Sequence, residues 1–428
     1  MNNKAFDGRG LLILSLLLLV NILNFVDRLL PSILVGGIRK DLGLSDAQIG
    51  LMAGVAFAVI YSFAGVALAR VADLRSPRLV ISLSLAFWSL ATAFSGLAQG
   101  FWQLFMARAG VAAGEAGCTP AAHALIARVF PTNRRSLVVA LFSLGVPIGG
   151  TLGLILGGWI NDVLSWRAAF FVVGLPGLAV AGLVRLLIPD PPHQSPLHTR
   201  ADSLGGTLKF LFAIRSFRHM AIASSLFAIG SYAMNVFAPA FLMRTHHMTP
   251  RRAGLALGIA SGIGGLVGTF AGGAIADWLG RKDPRWRQGV PAIGLALSAP
   301  TALAAYLVPD QTLSVILLTL VYLLGLLYFA PTFAAAQSLV PDGIRASTTG
   351  ILLFCLTLIG ASVGPYVVGL VSDLLAPQFG AMSLRYAMCL MALTMLWSAW
   401  HFLCAARALP ADLRQSDSAE PVKRGARA

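Results

Sequence analysis

The chain has 428 residues, of which 57% are hydrophobic and 11% charged, and its 32 Lys and Arg against 17 Asp and Glu leave a formal net charge of +15. Soluble chains carry about 25% charged residues, so a water-soluble globular enzyme and an intrinsically disordered chain are both excluded. In so apolar a chain the surplus of cations bears first on a membrane, and their placement decides whether nucleic acid is needed as a partner.

A membrane-crossing helix takes roughly 20 apolar residues. Apolar runs between breakers predict twelve such spans in an all-α integral membrane protein. Six lie near 11–37, 47–69, 79–98, 101–127, 137–160 and 167–188, and six near 219–243, 252–276, 289–308, 311–338, 346–375 and 383–406. The first run is about 25 residues long and lacks a small-residue cleavage site, so it reads as a span and not as a leader. A β-barrel would need short alternating segments, which are absent. The four cysteines, Cys118, Cys355, Cys389 and Cys404, sit inside apolar runs without metal-ligand spacing, so no disulfide, metal or cofactor is expected.

Numbering the connections from the N-terminus, most Lys and Arg fall on the even-numbered ones and on the two termini. The odd-numbered side holds only Arg39, Lys40, Arg167, Arg244, Arg251, Arg252 and Arg385. The positive-inside rule then places both termini in the cytoplasm. That bias accounts for the positive charge, and no nucleic-acid partner is required. The longest connection, 189–218, opens with Pro189-Asp-Pro-Pro192 and ends in a mixed apolar and basic stretch suited to the inner leaflet. It divides the chain into a six-span half at 1–188 and another at 219–406, with a polar tail at 407–428 expected to be disordered.

The halves look duplicated. Gly273-Ala-Ile-Ala-Asp277-Trp-Leu-Gly280-Arg281-Lys282 closes span eight, and Ala69-Arg-Val-Ala-Asp73-Leu-Arg-Ser-Pro-Arg78 closes span two. Val129-Phe-Pro131 through Arg135 after span four likewise matches Leu339-Val-Pro341 through Arg345 after span ten.

Acids are scarce inside the spans. The chain has two Glu, Glu115 and the tail residue Glu420, and only Asp27 and Glu115 lie well within a span, accompanied by Arg28 and Arg108. An ionised group near the bilayer centre costs at least about 2.5–3.5 kcal/mol, which makes these four functional candidates. Asn24, Asp27, Arg28 and Pro31 follow helical spacing and form one polar stripe on span one. The second half has no equivalent acid. Its span seven offers Tyr232 and Asn235, span ten Tyr328, and span eleven Phe354, an aromatic surface for an amphiphile. Static ion pairing of the charges and plain packing of the aromatics are the competing readings.

The segment Gly273–Lys282, apart from Trp278, matches the G-x-x-x-D-[RK]-x-G-[RK]-[RK] loop of the major facilitator superfamily, and the first-half copy keeps Asp73 and Arg78. The chain is thus identified as a member of that superfamily, which implies the major facilitator fold: 12 transmembrane helices in two six-helix halves. Asn24-Phe-Val-Asp27-Arg28 and Arg108-Ala-Gly-Val-Ala-Ala-Gly-Glu115-Ala most resemble the bacterial spinster-like group of lipid transporters. The resemblance implies that spans one and four line a shared central cavity. A carrier and not an enzyme is expected, in the inner (plasma) membrane and as a monomer, and the acids buried beside cations point to proton coupling. Asp27 and Glu115 would carry the proton. Arg28, Asn24, Arg108, Tyr232, Asn235, Tyr328 and Phe354 would meet an amphiphilic, anionic substrate. In that scheme Arg28 pairs with Asp27 when that acid is ionised and Arg108 is a partner for Glu115 or a helix-packing charge, while Asp73, Arg78, Asp277, Arg281 and Lys282 latch neighbouring helix ends. Organic-anion or sugar-acid symport is an alternative, as is multidrug export, toward which Gly145-Val-Pro147-Ile-Gly149-Gly150 resembles a shortened exporter motif.

Overall fold

The computed structural model of the protein describes residues 8–74, 76–189, 204–341 and 344–425. Among these residues the regular structure is entirely helical. In chain order the helices are α1 (Gly8–Leu42), α2 (Asp46–Gly50), α3 (Ala56–Leu74), α4 (Pro77–Ser95), α5 (Phe101–Val129), α6 (Thr132–Ser143), α7 (Gly145–Val163) and α8 (Trp166–Leu187). They continue as α9 (Leu204–Ala213), α10 (Arg215–Thr245), α11 (Pro250–Gly280), α12 (Trp286–Leu307), α13 (Gln311–Leu326), α14 (Phe329–Ser338), α15 (Arg345–Phe379) and α16 (Ser383–Gly425). A π turn at Leu51–Val55 joins α2 to α3.

Short polar residues start several of these helices. The Ser45 hydroxyl accepts the Gln48 amide while the Gln48 side chain accepts the Ser45 amide, a complete capping box. Ser76, Ser165 and Asp310 accept the amides of Leu79, Ala168 and Leu313 in the same way.

Ten helical stretches are long and apolar enough to cross a bilayer. One of them, Ser347–Gln415, contains both α15 and α16, which are separated by the tight turn Gly380–Met382. Helix α5 stands outside the ten because Arg108, Glu115 and His123 dilute its apolar character. Counted in this way, the described residues contain the twelve expected spans, with α6–α7 and α13–α14 each forming one broken span. Large apolar side chains such as Trp102, Phe270 and Leu374 are exposed. Such a surface requires lipid around it.

The described residues pack as two compact units, and these do not coincide with the two halves of the sequence. The first gathers Met1–Leu197 with Asn235–Gly262 and Pro365–Leu384, and the second gathers His198–Met234, Ile263–Gly364 and Arg385–Ala428. Segments of α10, α11 and α15 therefore belong with the first half. Close backbone approach is part of the reason: Gly158 of α7 and Gly254 of α11 face each other, and neither has room for a Cβ. In the first unit a core of Ile13, Leu17, Leu85, Trp88, Val111, Leu125, Phe142 and Val184 joins α1, α4, α5, α6 and α8. In the second, Leu211, Phe217, Met220, Ala336, Leu352 and Leu409 form another.

The tail differs from the expectation of disorder. Helix α16 runs past Arg407, Leu409 is fully buried, and the Asp412 carboxylate accepts the Ser216 amide at 2.7 Å. Leu409 and Leu413 extend the apolar stripe at helical spacing, and Asp412 caps the first turn of α10, so order continues beyond the last span.

Candidate transport site

The charged stripe of α1 meets α3, α4 and α5 inside the first unit. Gly114 allows close approach here, since a Cβ at that position would lie 2.8 Å from the Trp88 Cβ of α4. Asp27, Asn24, Arg108, Glu115 and Thr92 are all buried, whereas the Arg28 side chain retains 20% exposure.

Two ion pairs form, and they exchange the partners expected from the sequence. Arg28 reaches Glu115 Oε2 through Nη2 at 2.8 Å and Nε at 3.2 Å, and its Nη2 lies 3.4 Å from Asn24 Oδ1. Arg108 Nη1 lies 3.3 Å from Asp27 Oδ1, while the Thr92 hydroxyl donates to Asp27 Oδ2. Helical geometry explains the correction. Neighbours in sequence point about 100° apart around a helix, so Asp27 and Arg28 diverge. Arg108 and Glu115, seven positions apart, are separated by about 10 Å along α5, and each finds a nearer partner on α1.

The Arg28 guanidinium is also ringed by aromatic faces: its Cζ is 4.8 Å from the centroid of Phe25, 4.9 Å from Phe57 and 4.7 Å from Tyr61. The π turn that precedes α3 contributes to this placement, because an extra residue in a turn rotates the following helix face. Phe57 and Tyr61 then stack on one another at 5.3 Å. Each ring adds roughly 0.5–2 kcal/mol of cation–π attraction to a partly desolvated guanidinium. Three polar atoms of the cluster remain without a hydrogen-bond partner among the described residues: Glu115 Oε1, Asn24 Nδ2 and Arg108 Nε. The site can therefore take up a proton at a buried carboxylate oxygen and can present a cation held by rings and not only by its counterion.

Sequence reasoning missed Thr92, Phe57 and Tyr61. A single hydroxyl and two aromatic residues in apolar helices carry no distinctive spacing. Asn21 was missed as well, although that residue continues the α1 stripe one turn before Asn24; its amide donates to Phe142 O at 2.8 Å.

The remaining predicted residues are placed as follows. Tyr232, Asn235 and Phe354 are half-buried on α10 and α15. Tyr328 is buried against Phe227, Phe329 and Phe402, with centroid distances of 4.9, 6.0 and 5.8 Å, so its ring packs within the second unit. The side chain of Asp73 lies outside the described residues. Arg78 donates to the Arg185 and Ile188 carbonyls at the end of α8. Asp277, Arg281 and Lys282 are exposed, and the Lys282 ammonium sits 5.1 Å from the Trp278 ring.

One buried acid at a helix end was not anticipated. Asp46, at the start of α2, receives a two-pronged bond from Arg244 of α10, with both contacts at 2.7 Å. Arg39 lies 3.3 Å away, and Ser372 of α15 donates at 2.8 Å. Asp373 in turn accepts the amides of Asp46 and Ala47 at 2.9 and 2.8 Å. All of these residues belong to the first unit.

Membrane-spanning helices that bury two ion pairs between α1 and α5 define a membrane transporter. The sequence pattern of the Major Facilitator Superfamily matches residues 17–365, and the chain belongs to that family as a spinster-like transporter. An MFS-type efflux pump of Mycolicibacterium smegmatis is 37% identical over 395 residues, 92% of each chain. The sphingosine-1-phosphate transporter SPNS2 of Mus musculus is 26% identical over 425 residues, covering 92% of this chain and 76% of that one. Among solved structures, a bacterial homologue of the human lysosomal transporter Spinster, in an inward-facing and unoccupied conformation, superposes with a TM-score of 0.86 at 26% identity. That match covers 95% of this chain and 98% of the other.

Proposed function

We propose that the protein is a proton-coupled secondary active transporter that moves an amphiphilic, anionic, lipid-like substrate by alternating access, as a monomer in the inner (plasma) membrane with both termini cytoplasmic. The Arg28–Glu115 pair carries the proposal. Glu115 is fully buried with Oε1 unpaired, and Arg28 is accessible at the edge of the pair. A proton taken up at Oε1 removes the negative charge that holds Arg28. The guanidinium, still braced by Phe25, Phe57 and Tyr61, then becomes available to an anionic headgroup, and loss of the proton restores the pair and expels the headgroup. Asp27, with both oxygens engaged by Arg108 and Thr92, is the second proton carrier. The name of the SPNS2 relative supports an amphiphilic anion as cargo. That of the Mycolicibacterium relative supports multidrug export as the second reading.

Purified protein in proteoliposomes provides the test. Glu115→Gln should abolish flux driven by a pH gradient while counterflow exchange of bound cargo persists. Unchanged gradient-driven flux in Glu115→Gln and in Asp27→Asn would exclude proton coupling at these acids.

A further inference from the structure

The second unit carries an open groove of about 530 Å³ that takes no part in the transport site. Its walls are the loop between α11 and α12, through Asp283, Pro284 and Arg285, and the late turns of α16, through Pro410, Leu413 and Arg414. Asp283 Oδ1 accepts the Arg285 amide at 2.9 Å, and the Trp286 amide donates to the Asp283 carbonyl at 3.1 Å, so the loop is a closed turn with the Arg285 side chain exposed on it. Arg414 Nε donates to Pro410 O at 3.3 Å, one helical turn back, and the rest of that side chain is exposed as well. Neither guanidinium has a carboxylate partner among the described residues, although Asp283 lines the same groove.

The depth of the groove is marked by tryptophan. Trp278, in the last turns of α11, is 61% exposed, and Trp286, at the start of α12, is 38% exposed. Exposed indoles at helix ends sit at headgroup level in a bilayer. The groove thus combines an apolar floor with two unpaired cations at the depth where phosphates lie. A guanidinium suits a phosphate through parallel N–H donors. The Asp283 carboxylate adds like-charge repulsion that grows with the charge of the ligand, which favours a singly charged phosphodiester over a doubly charged free phosphate.

We propose that this groove binds an anionic phospholipid of the surrounding leaflet, its phosphate bridging Arg285 and Arg414 and its glycerol end resting on Pro284, Pro410 and Leu413. A lipid seated there ties the start of α12 to the end of α16. Through the Asp412 cap it also steadies the first turn of α10.

The test follows thermal unfolding of the full-length protein in detergent while dioleoylphosphatidylglycerol or dioleoylphosphatidylcholine is added. Phosphatidylglycerol should raise the midpoint in a saturable manner, because a ligand of the folded state stabilises it, and phosphatidylcholine should not. The Arg285→Gln/Arg414→Gln double variant should unfold at the wild-type temperature without lipid and bind phosphatidylglycerol about tenfold more weakly. Arg251→Gln/Arg252→Gln, at the opposite end of α11, should respond as wild type. An undiminished response in the double variant would overturn the proposal, as would an equal response to phosphatidylcholine or reproduction of the shift by inorganic phosphate alone. Should the double variant fail to fold, full affinity in both single variants would overturn it equally.

Discussion

Within the charged cluster each acid depends on one arginine, and the two pairs differ in what they can release. Asp27 is enclosed by Arg108 and Thr92, whereas Glu115 faces an arginine that is partly exposed and held by three rings. Removing one partner of a buried pair leaves an uncompensated charge, at a cost of about 3–5 kcal/mol. Arg108→Gln should therefore lower the thermal midpoint of the purified protein sharply. Arg108→Gln combined with Asp27→Asn should recover most of that loss, which a differential scan of the two variants measures. At Arg28, a lysine is a point charge and cannot place two donors on one carboxylate oxygen. Arg28→Lys should weaken binding of an anionic cargo by about tenfold, roughly the worth of one charge-assisted bond, as read by titration in detergent. The chemical types in this cluster were legible in the sequence, because ionised groups are conspicuous in apolar runs. Their pairing was not, since it depends on the angles at which α1 meets α4 and α5, well apart from it in sequence.

At the scale of elements, the Asp46 network joins the start of α2 to α10 and α15. Asp46→Asn retains the shape but removes the charge that anchors the Arg244 fork. Hydrogen exchange should then rise in residues 242–250 and 366–376 while the core of α4 and α5 stays protected, and unchanged protection in both segments would show that the fork does not hold these helix ends. Sequence reasoning did not single out Asp46, because it stands at a helix start where acids are ordinary. The late part of α16 was misjudged for a related reason. Its polar composition reads as a tail, yet Leu409 and Asp412 each find a partner on another element. Leu409→Asp should destabilise the packing of α16 against α9 and α10, with a lower midpoint and proteolytic release of the segment after Arg407.

For the whole molecule, the number of spans and the family followed from the sequence alone. Bilayer thickness imposes a length of roughly 20 residues on every crossing helix, and unsatisfied backbone groups in lipid permit little besides helices. The scarcity of charge likewise singled out Asp27 and Glu115 as the acids inside the membrane. What only the tertiary structure decided was the company these groups keep: Glu115 with Arg28, Asp27 with Arg108 and Thr92, an aromatic ring around Arg28, and a division into two compact units that crosses the duplicated halves. Hydrophobic patterning reports how deep a residue lies, because depth is set by the solvent. Contacts between helices are set by packing shape and rotation, which a one-dimensional pattern does not record.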